Sequence, residues 1–184
     1  MAVYTEVSGE ELEQFIAAYD IGELMSYKGI AEGVENSNYV VHTGRGTFIL
    51  TLYEKRVDRG DLPFFLGLME HLAGRGVSCP LPVKRKDGRV LSDLAGRAAA
   101  LVTFLEGYSV RRPDAENCAA VGRALAALHL AAAGFGLTRN NALGVKGWRP
   151  LYERFAARAD EIAPGLEALI AGNLTTLESR WPSD

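Results

Sequence analysis

The segment Gly29-Ile-Ala-Glu-Gly-Val-Glu-Asn-Ser-Asn-Tyr39 runs straight into Val40-Val-His-Thr43. After Gly44-Arg45-Gly46 comes a second strand-type run, Thr47-Phe-Ile-Leu-Thr-Leu-Tyr53. Two β-branched and aromatic runs joined by so short a glycine turn pair as an antiparallel hairpin. The leading edge of that hairpin is a glycine loop. Glycine has no Cβ, so backbone N–H groups in such a loop can come close to phosphate oxygens. The same loop also suits an ordinary hairpin entry, so nucleotide binding needs support from the rest of the chain.

Around the hairpin the chain is ordered by helix and strand signals. Ser8 and Glu11 form a capping-box signature, and Leu12, Phe15, Ile16 and Tyr19 follow at helical spacing, which predicts an amphipathic helix over 8–19. Asp61 is placed to cap a second helix with Leu62, Phe65, Leu66, Met69 and Leu72 as its buried stripe, ended by Gly74 and Gly76. Pro80 and Pro82 make 77–83 extended. Lys84 to Leu91 reads as a hairpin around Asp87-Gly88, and Arg97 to Phe104 as a buried strand. From Pro113 the signals are helical. Pro113 suits a first helical turn, with Asp114 and Glu116 at its positive end. Cys118, Val121, Leu125, Leu128 and Ala132 form one stripe, closed by Gly134. Further helices are expected after Pro150 and after Gly165, the last stopped by Pro182. The expected organisation is α+β: a β-rich first lobe over 1–106 and a helical second lobe over 107–184, with the boundary near 105–112.

Composition narrows the partners. The chain has 184 residues, 48% hydrophobic and 23% charged, which accommodates one domain or two small lobes. The net charge of −3 and the lack of a basic stripe argue against nucleic acid. Lys84-Arg85-Lys86 reads as a solvated turn. No apolar run reaches the roughly 18 residues of a membrane span, and no leader pattern is visible. A cytoplasmic protein with no membrane partner is expected, with Cys79 and Cys118 as small buried hydrophobes.

Three segments carry a resemblance. The glycine loop with Phe48-Ile-Leu-Thr-Leu-Tyr-Glu-Lys55 is similar to the first hairpin of bacterial homoserine kinases of the aminoglycoside-phosphotransferase-like type. Gly74-Arg-Gly-Val-Ser-Cys-Pro-Leu-Pro82 and Val121-Gly-Arg-Ala-Leu-Ala-Ala-Leu-His129 resemble segments shared across that protein-kinase-like superfamily. The resemblance implies a two-lobed kinase fold and ATP-dependent, Mg2+-assisted transfer of a phosphoryl group to the hydroxyl of L-homoserine, a step of threonine biosynthesis. Related kinases acting on aminoglycosides or choline, and a non-catalytic nucleotide-binding module, are the alternatives.

On that resemblance, Gly29, Gly33, Asn36, Ser37, Asn38, Thr51 and Lys55 would face the phosphates. Glu32 and Glu35 would point outward or against a cation. The backbone of Phe104, Leu105 and Glu106 would meet the adenine, or be a plain strand exit. Arg139, Asn140 and Asn141 would line an acceptor pocket, or form a capped surface loop. Thr51 stands where kinases of this build place a lysine; Lys55 either takes over that role or is a solvated cation. The helix glutamate that pairs with such a lysine is replaced by Phe64 and Phe65, with Glu70 poorly spaced. His129 reads as a structural helix histidine or a neighbour of the catalytic loop. No His-x-Asp-x-x-x-x-Asn motif follows His42, His71 or His129. The catalytic base and the metal ligands are therefore expected beyond residue 184, and the helical lobe is expected to be incomplete.

Overall fold

The computed structural model describes residues 4–31, 35–54, 57–141 and 143–182. It divides into two compact units, Met1–Leu137 and Thr138–Asp184.

The first unit is built on a five-stranded antiparallel sheet in the order β1-β2-β3-β5-β4. Its strands are β1 (Leu24–Gly29), β2 (Asn36–Thr43), β3 (Gly46–Tyr53), β4 (Ser92–Leu94) and β5 (Arg97–Thr103). The expected hairpin is β2–β3, closed at Gly44-Arg45 with Thr43 opposite Gly46. Strand β1 extends it on one side. Most of β1 is exposed, and Leu-Met-Ser-Tyr-Lys-Gly has no alternation, so no period-two signal marked it. Strand β4, three residues long, left as little trace.

Helix α1 (Gly9–Ile16) has the full capping box: the Ser8 hydroxyl accepts from the Glu11 N–H, and the Glu11 carboxylate accepts from the Ser8 N–H. It ends three residues before the expected Tyr19, because Tyr19 turns to bridge Arg85. Leu12, Phe15 and Ile16 pack with Tyr39, Val41, Leu50, Leu52 and Leu101 in one cluster on one sheet face. Gly22 takes φ +84°, and a Cβ there would meet the Gly44 Cα at 3.1 Å, so the chain can pass the hairpin turn only without a side chain.

After a single 3-10 turn (Arg59–Asp61), helix α2 (Leu62–Ala73) buries Leu62, Leu66 and Leu72. The expected cap differs: Asp61 holds the N-cap position without a capping bond, and the preceding turn is capped by Asp58 on the Gly60 N–H. The extended 77–83 segment lies along β5, with Val83 donating to Leu101 O and Thr103 to Leu81 O. The segment 84–91 turns back on itself at Asp87-Gly88 as expected, with Arg85 donating to Arg89 O at 2.9 Å, and Arg85 also bridges Tyr19.

Helix α3 (Ala115–Ala132) also belongs to the first unit, so the compact units do not divide at the lobe boundary expected near 105–112. The reason is its packing: His71 on α2 donates to Ala131 O, and Phe135 just beyond α3 stacks against Phe64 and His71. Asp114, not Pro113, starts the helix, in a reciprocal cap with Asn117. No residue of α3 is buried; Val121 is 67% and Leu125 51% exposed. Cys118 is exposed rather than buried, and Cys79 is half-buried with its thiol on Met69 O.

The second unit contains α4 (Val145–Glu153), a 3-10 segment (Ala156–Glu161) and α5 (Leu166–Arg180). The helix expected after Pro150 instead begins at Val145 and carries Pro150 inside it. Arg149 pairs with Glu178 through both Nε and Nη2, and Trp148 meets Trp181 edge-on, which ties α4 to α5. Gly165 at φ +81° opens α5, and Trp181-Pro182 follows its end, as the sequence implies.

Candidate functional site

Alternation along β2 and β3 sorts their side chains onto two faces. Ser37, Tyr39, Val41 and Thr43 with Phe48, Leu50 and Leu52 are buried. Asn36, Asn38 and Val40 with Ile49, Thr51 and Tyr53 occupy the opposite face and are half-buried. Beside the row of Asn36, Tyr53 and Ala98, the register arranges this second face in two further rows across the sheet. Asn38, Thr51 and Ala100 stand side by side, and so do Val40, Ile49 and Val102. Thr51 donates its hydroxyl to Asn38 Oδ1 at 2.8 Å. An apolar row thus lies next to a polar row on one surface, an arrangement suited to a ligand with a flat apolar part and a polar tail.

The glycine loop springs from the polar row. Gly29 pairs with Tyr39, and Ile30 donates to Asn38 O at 2.8 Å, closing the base of the loop. Glu35 is exposed. Gly33 and Lys55, like Glu32, lie outside the described residues. Phe104, Leu105 and Glu106 leave the sheet directly after β5. The Phe104 N–H is engaged by Thr47 O, and the side chains of Phe104 and Leu105 are exposed. Glu70 pairs at the surface with Lys84 at 3.1 Å. His129 is exposed.

Ser37 faces the other way. Its side chain is fully buried and bonded to the N-terminal segment and to Glu54. Its phase in the strand, shared with Tyr39 and Val41, carries that information; the polar character of Asn36-Ser37-Asn38 obscured it. Glu54 accepts from Thr5, Ser37 and Arg97. Burial alone would raise its pKa, but the two hydroxyls and the Arg97 guanidinium outweigh burial and hold the carboxyl below the ordinary glutamate range.

Arg139, Asn140 and Asn141 belong to the second unit. All three are exposed. Asn141 caps a turn before α4, its Oδ1 accepting from Leu143 N at 3.0 Å and its carbonyl from Gly144 N at 3.1 Å. Among the described residues no group of three or more His, Cys, Asp or Glu is gathered to hold a metal ion. None of the helices among them is long and apolar enough to cross a membrane.

Val40, Ile49 and Val102, which lie on this face beside Asn38 and Thr51, were not among the residues expected from sequence. Their signal was the alternation itself, once the register is counted outward from Gly44-Arg45.

Residues 26–184 match the phosphotransferase enzyme family APH. The chain belongs to this family. Its fold agrees with that of a solved spectinomycin phosphotransferase in complex with ADP and spectinomycin, with a TM-score of 0.68 at 12% identity over 97% of this chain and 60% of that one. A microcompartment-associated aminopropanol kinase aligns with a TM-score of 0.54 at 20% identity, over 84% of this chain and 55% of that one. Among curated relatives of this chain, the homoserine kinase of Xanthobacter autotrophicus is 63% identical over 182 residues, covering 99% of this chain and 57% of the relative. That of Sinorhizobium fredii is 62% identical over 182 residues, covering 99% of this chain and 56% of the relative. The chain therefore spans a little over half the length of the curated relatives it matches.

Proposed function

We propose that this chain forms the nucleotide-binding part of an ATP-dependent kinase that phosphorylates the side-chain hydroxyl of L-homoserine, acting in the cytoplasm. The observation that carries this is the 63% identity to a homoserine kinase along almost the whole chain. The two-row face supports it. Val40, Ile49 and Val102 would cover the purine, and the backbone of Phe104 to Glu106 would meet its edge. Asn36, Asn38 and Thr51, with the loop from Gly29 and with Lys55, would sit toward the phosphates. Phosphoryl transfer depends mainly on positioning and charge neutralisation, and a preformed surface of this kind supplies the positioning. Mg2+ would neutralise phosphate charge, but no residue of this chain is assigned to hold it. Arg139, Asn140 and Asn141 remain candidates for the acceptor, with Asn141 acting through the turn it caps. In this reading 1–106 is the nucleotide lobe and 107–184 the start of the acceptor lobe.

The test is phosphoryl transfer from ATP to homoserine by a polypeptide of the relatives' full length that contains these 184 residues, with choline and an aminoglycoside as competing acceptors. O-phosphohomoserine as the dominant product is expected. Preferential transfer to another acceptor overturns the substrate. Nucleotide binding with no transfer to any acceptor overturns the enzyme in favour of a binding module.

A further inference from the structure

We infer that the N-terminal segment around Tyr4 and Thr5 is a positioning strap for the nucleotide-facing side of the sheet, acting through Ser37 and Glu54. The inference rests on the proposed reading of Asn36, Asn38 and Thr51 as phosphate-side residues.

The strap is anchored by one serine oxygen. Ser37 Oγ accepts the N–H of Tyr4 at 2.8 Å and of Thr5 at 3.0 Å, and donates to Glu54 Oε1 at 2.7 Å. The Thr5 hydroxyl donates to the same carboxylate oxygen at 2.7 Å. The Tyr39 hydroxyl donates to Thr5 O at 2.7 Å. Arg97, across the sheet on β5, donates from Nε to Glu54 Oε2 at 2.7 Å. Residues far apart in sequence are thereby joined behind the first residues of β2 and the last of β3.

These are the positions where the sheet would otherwise be loosest. Strand β2 begins at Asn36, directly after the glycine loop, and β3 ends at Tyr53. Strand ends tied by few bonds open locally at little cost. Ser37 lies between Asn36 and Asn38, whose side chains are on the opposite face. Holding Ser37 from behind holds both. Asn36 Oδ1 in turn accepts from Glu54 N, and Asn38 takes Ile30 N on its carbonyl and Thr51 Oγ1 on its amide. A face ordered before the nucleotide arrives loses less conformational freedom on binding. Ser37 is buried, and the half-buried Thr5 bonds to it and to Glu54 on the side of the sheet away from Asn36 and Asn38, so their role is positioning.

The test uses the same full-length polypeptide and three variants. Thr5→Val keeps the shape of Thr5 and removes its bond to Glu54; Thr5→Ser keeps the bond. Ile49→Trp fills the apolar row without touching the strap. ADP affinity is measured by calorimetry, KM for ATP and kcat by transfer to homoserine, and amide exchange at Ile30 by mass spectrometry or NMR. Thr5→Val is expected to weaken ADP and raise KM for ATP about fivefold, the equivalent of one hydrogen bond. It should speed exchange at Ile30 and leave kcat and KM for homoserine near the parent values, with Thr5→Ser restoring all of these. A Thr5→Val protein that melts earlier but keeps ADP affinity within about twofold reduces the strap to a stabilising contact and overturns the inference. If Ile49→Trp weakens ADP while Thr5→Val does not, the strap alone fails. If neither weakens ADP, the nucleotide face and the strap fail together.

Discussion

Replacing Arg97 by Gln tests whether the Glu54 network holds the first unit together. Arg97 and Glu54 are 30% and 11% exposed in their side chains, so the pair is largely withdrawn from water. Removing one partner of a buried pair costs about 3–5 kcal/mol, because the remaining charge is stranded. Glu54 keeps two hydroxyl donors, Thr5 and Ser37, which places Arg97→Gln near the lower end, about 3 kcal/mol. Glu54→Gln strands a guanidinium that can regain water and turns charged bonds into neutral ones, so about 2 kcal/mol is expected. At ~2–4 °C per kcal/mol for a chain of this size, Arg97→Gln should melt about 6–12 °C lower. The sign with pH follows from the depressed carboxyl. The stability Glu54 contributes is complete above its unfolded value near 4.5 and is lost as pH falls through the lower folded value. The gap between the parent and Glu54→Gln should therefore be flat at neutral pH and narrow as pH falls below the unfolded value of 4.5. Asp87, held at about 2 by hydrogen bonds from Arg89, titrates alike in both proteins and drops out of that difference. The assay is far-ultraviolet circular dichroism. Trp148 and Trp181 both lie in the second unit, so tryptophan fluorescence reads that unit and serves as a control. A loss under about 1 kcal/mol for Arg97→Gln at neutral pH, or a gap that does not narrow in acid, refutes the reasoning.

Three further outcomes are expected. Residues 1–184 alone should give no ATP-dependent phosphorylation of homoserine, since no His-x-Asp-x-x-x-x-Asn motif is present; EDTA-sensitive turnover by that polypeptide would contradict this. In a polypeptide of the relatives' full length containing these residues, Gly33→Val should weaken ATP far more than homoserine with little change in unliganded melting, and Lys55→Met should lower turnover if Lys55 serves the phosphates; calorimetry and steady-state rates decide both. The exposed Val121, Leu125 and Leu130 of α3 should bind a hydrophobic dye in the 1–184 polypeptide, and Leu125→Lys should reduce that binding; an unchanged dye signal would point to another surface.

Much of the architecture is local and was readable as such. The capping box of α1, the β2–β3 hairpin, the stripe of α2 and the buried run of β5 each announce themselves within a short window, because helix caps and period-two strands are set by neighbouring residues. Other features were not readable in this way. Strand β1 is exposed and unpatterned, and it forms because β2 offers an edge. Pro150 marks a break in most sequences but is carried within α4, which is fastened to α5 through Arg149 and Glu178.

The candidate site divides along the same line. Sequence alone determined that a glycine loop enters a hairpin bearing Asn38 and Thr51, since those residues are neighbours on two adjoining strands. Which side of the sheet each residue serves was decided only in three dimensions. Ser37 looks like its neighbours Asn36 and Asn38, yet it turns to the core, because burial of Tyr39, Val41 and Leu50 fixes the phase of the strand. Thr5, Glu54 and Arg97 meet only because β3 pairs with β5 and the N-terminal segment docks behind β2. Contacts between residues so far apart depend on the order of strands in the sheet, and no short window of sequence contains that order.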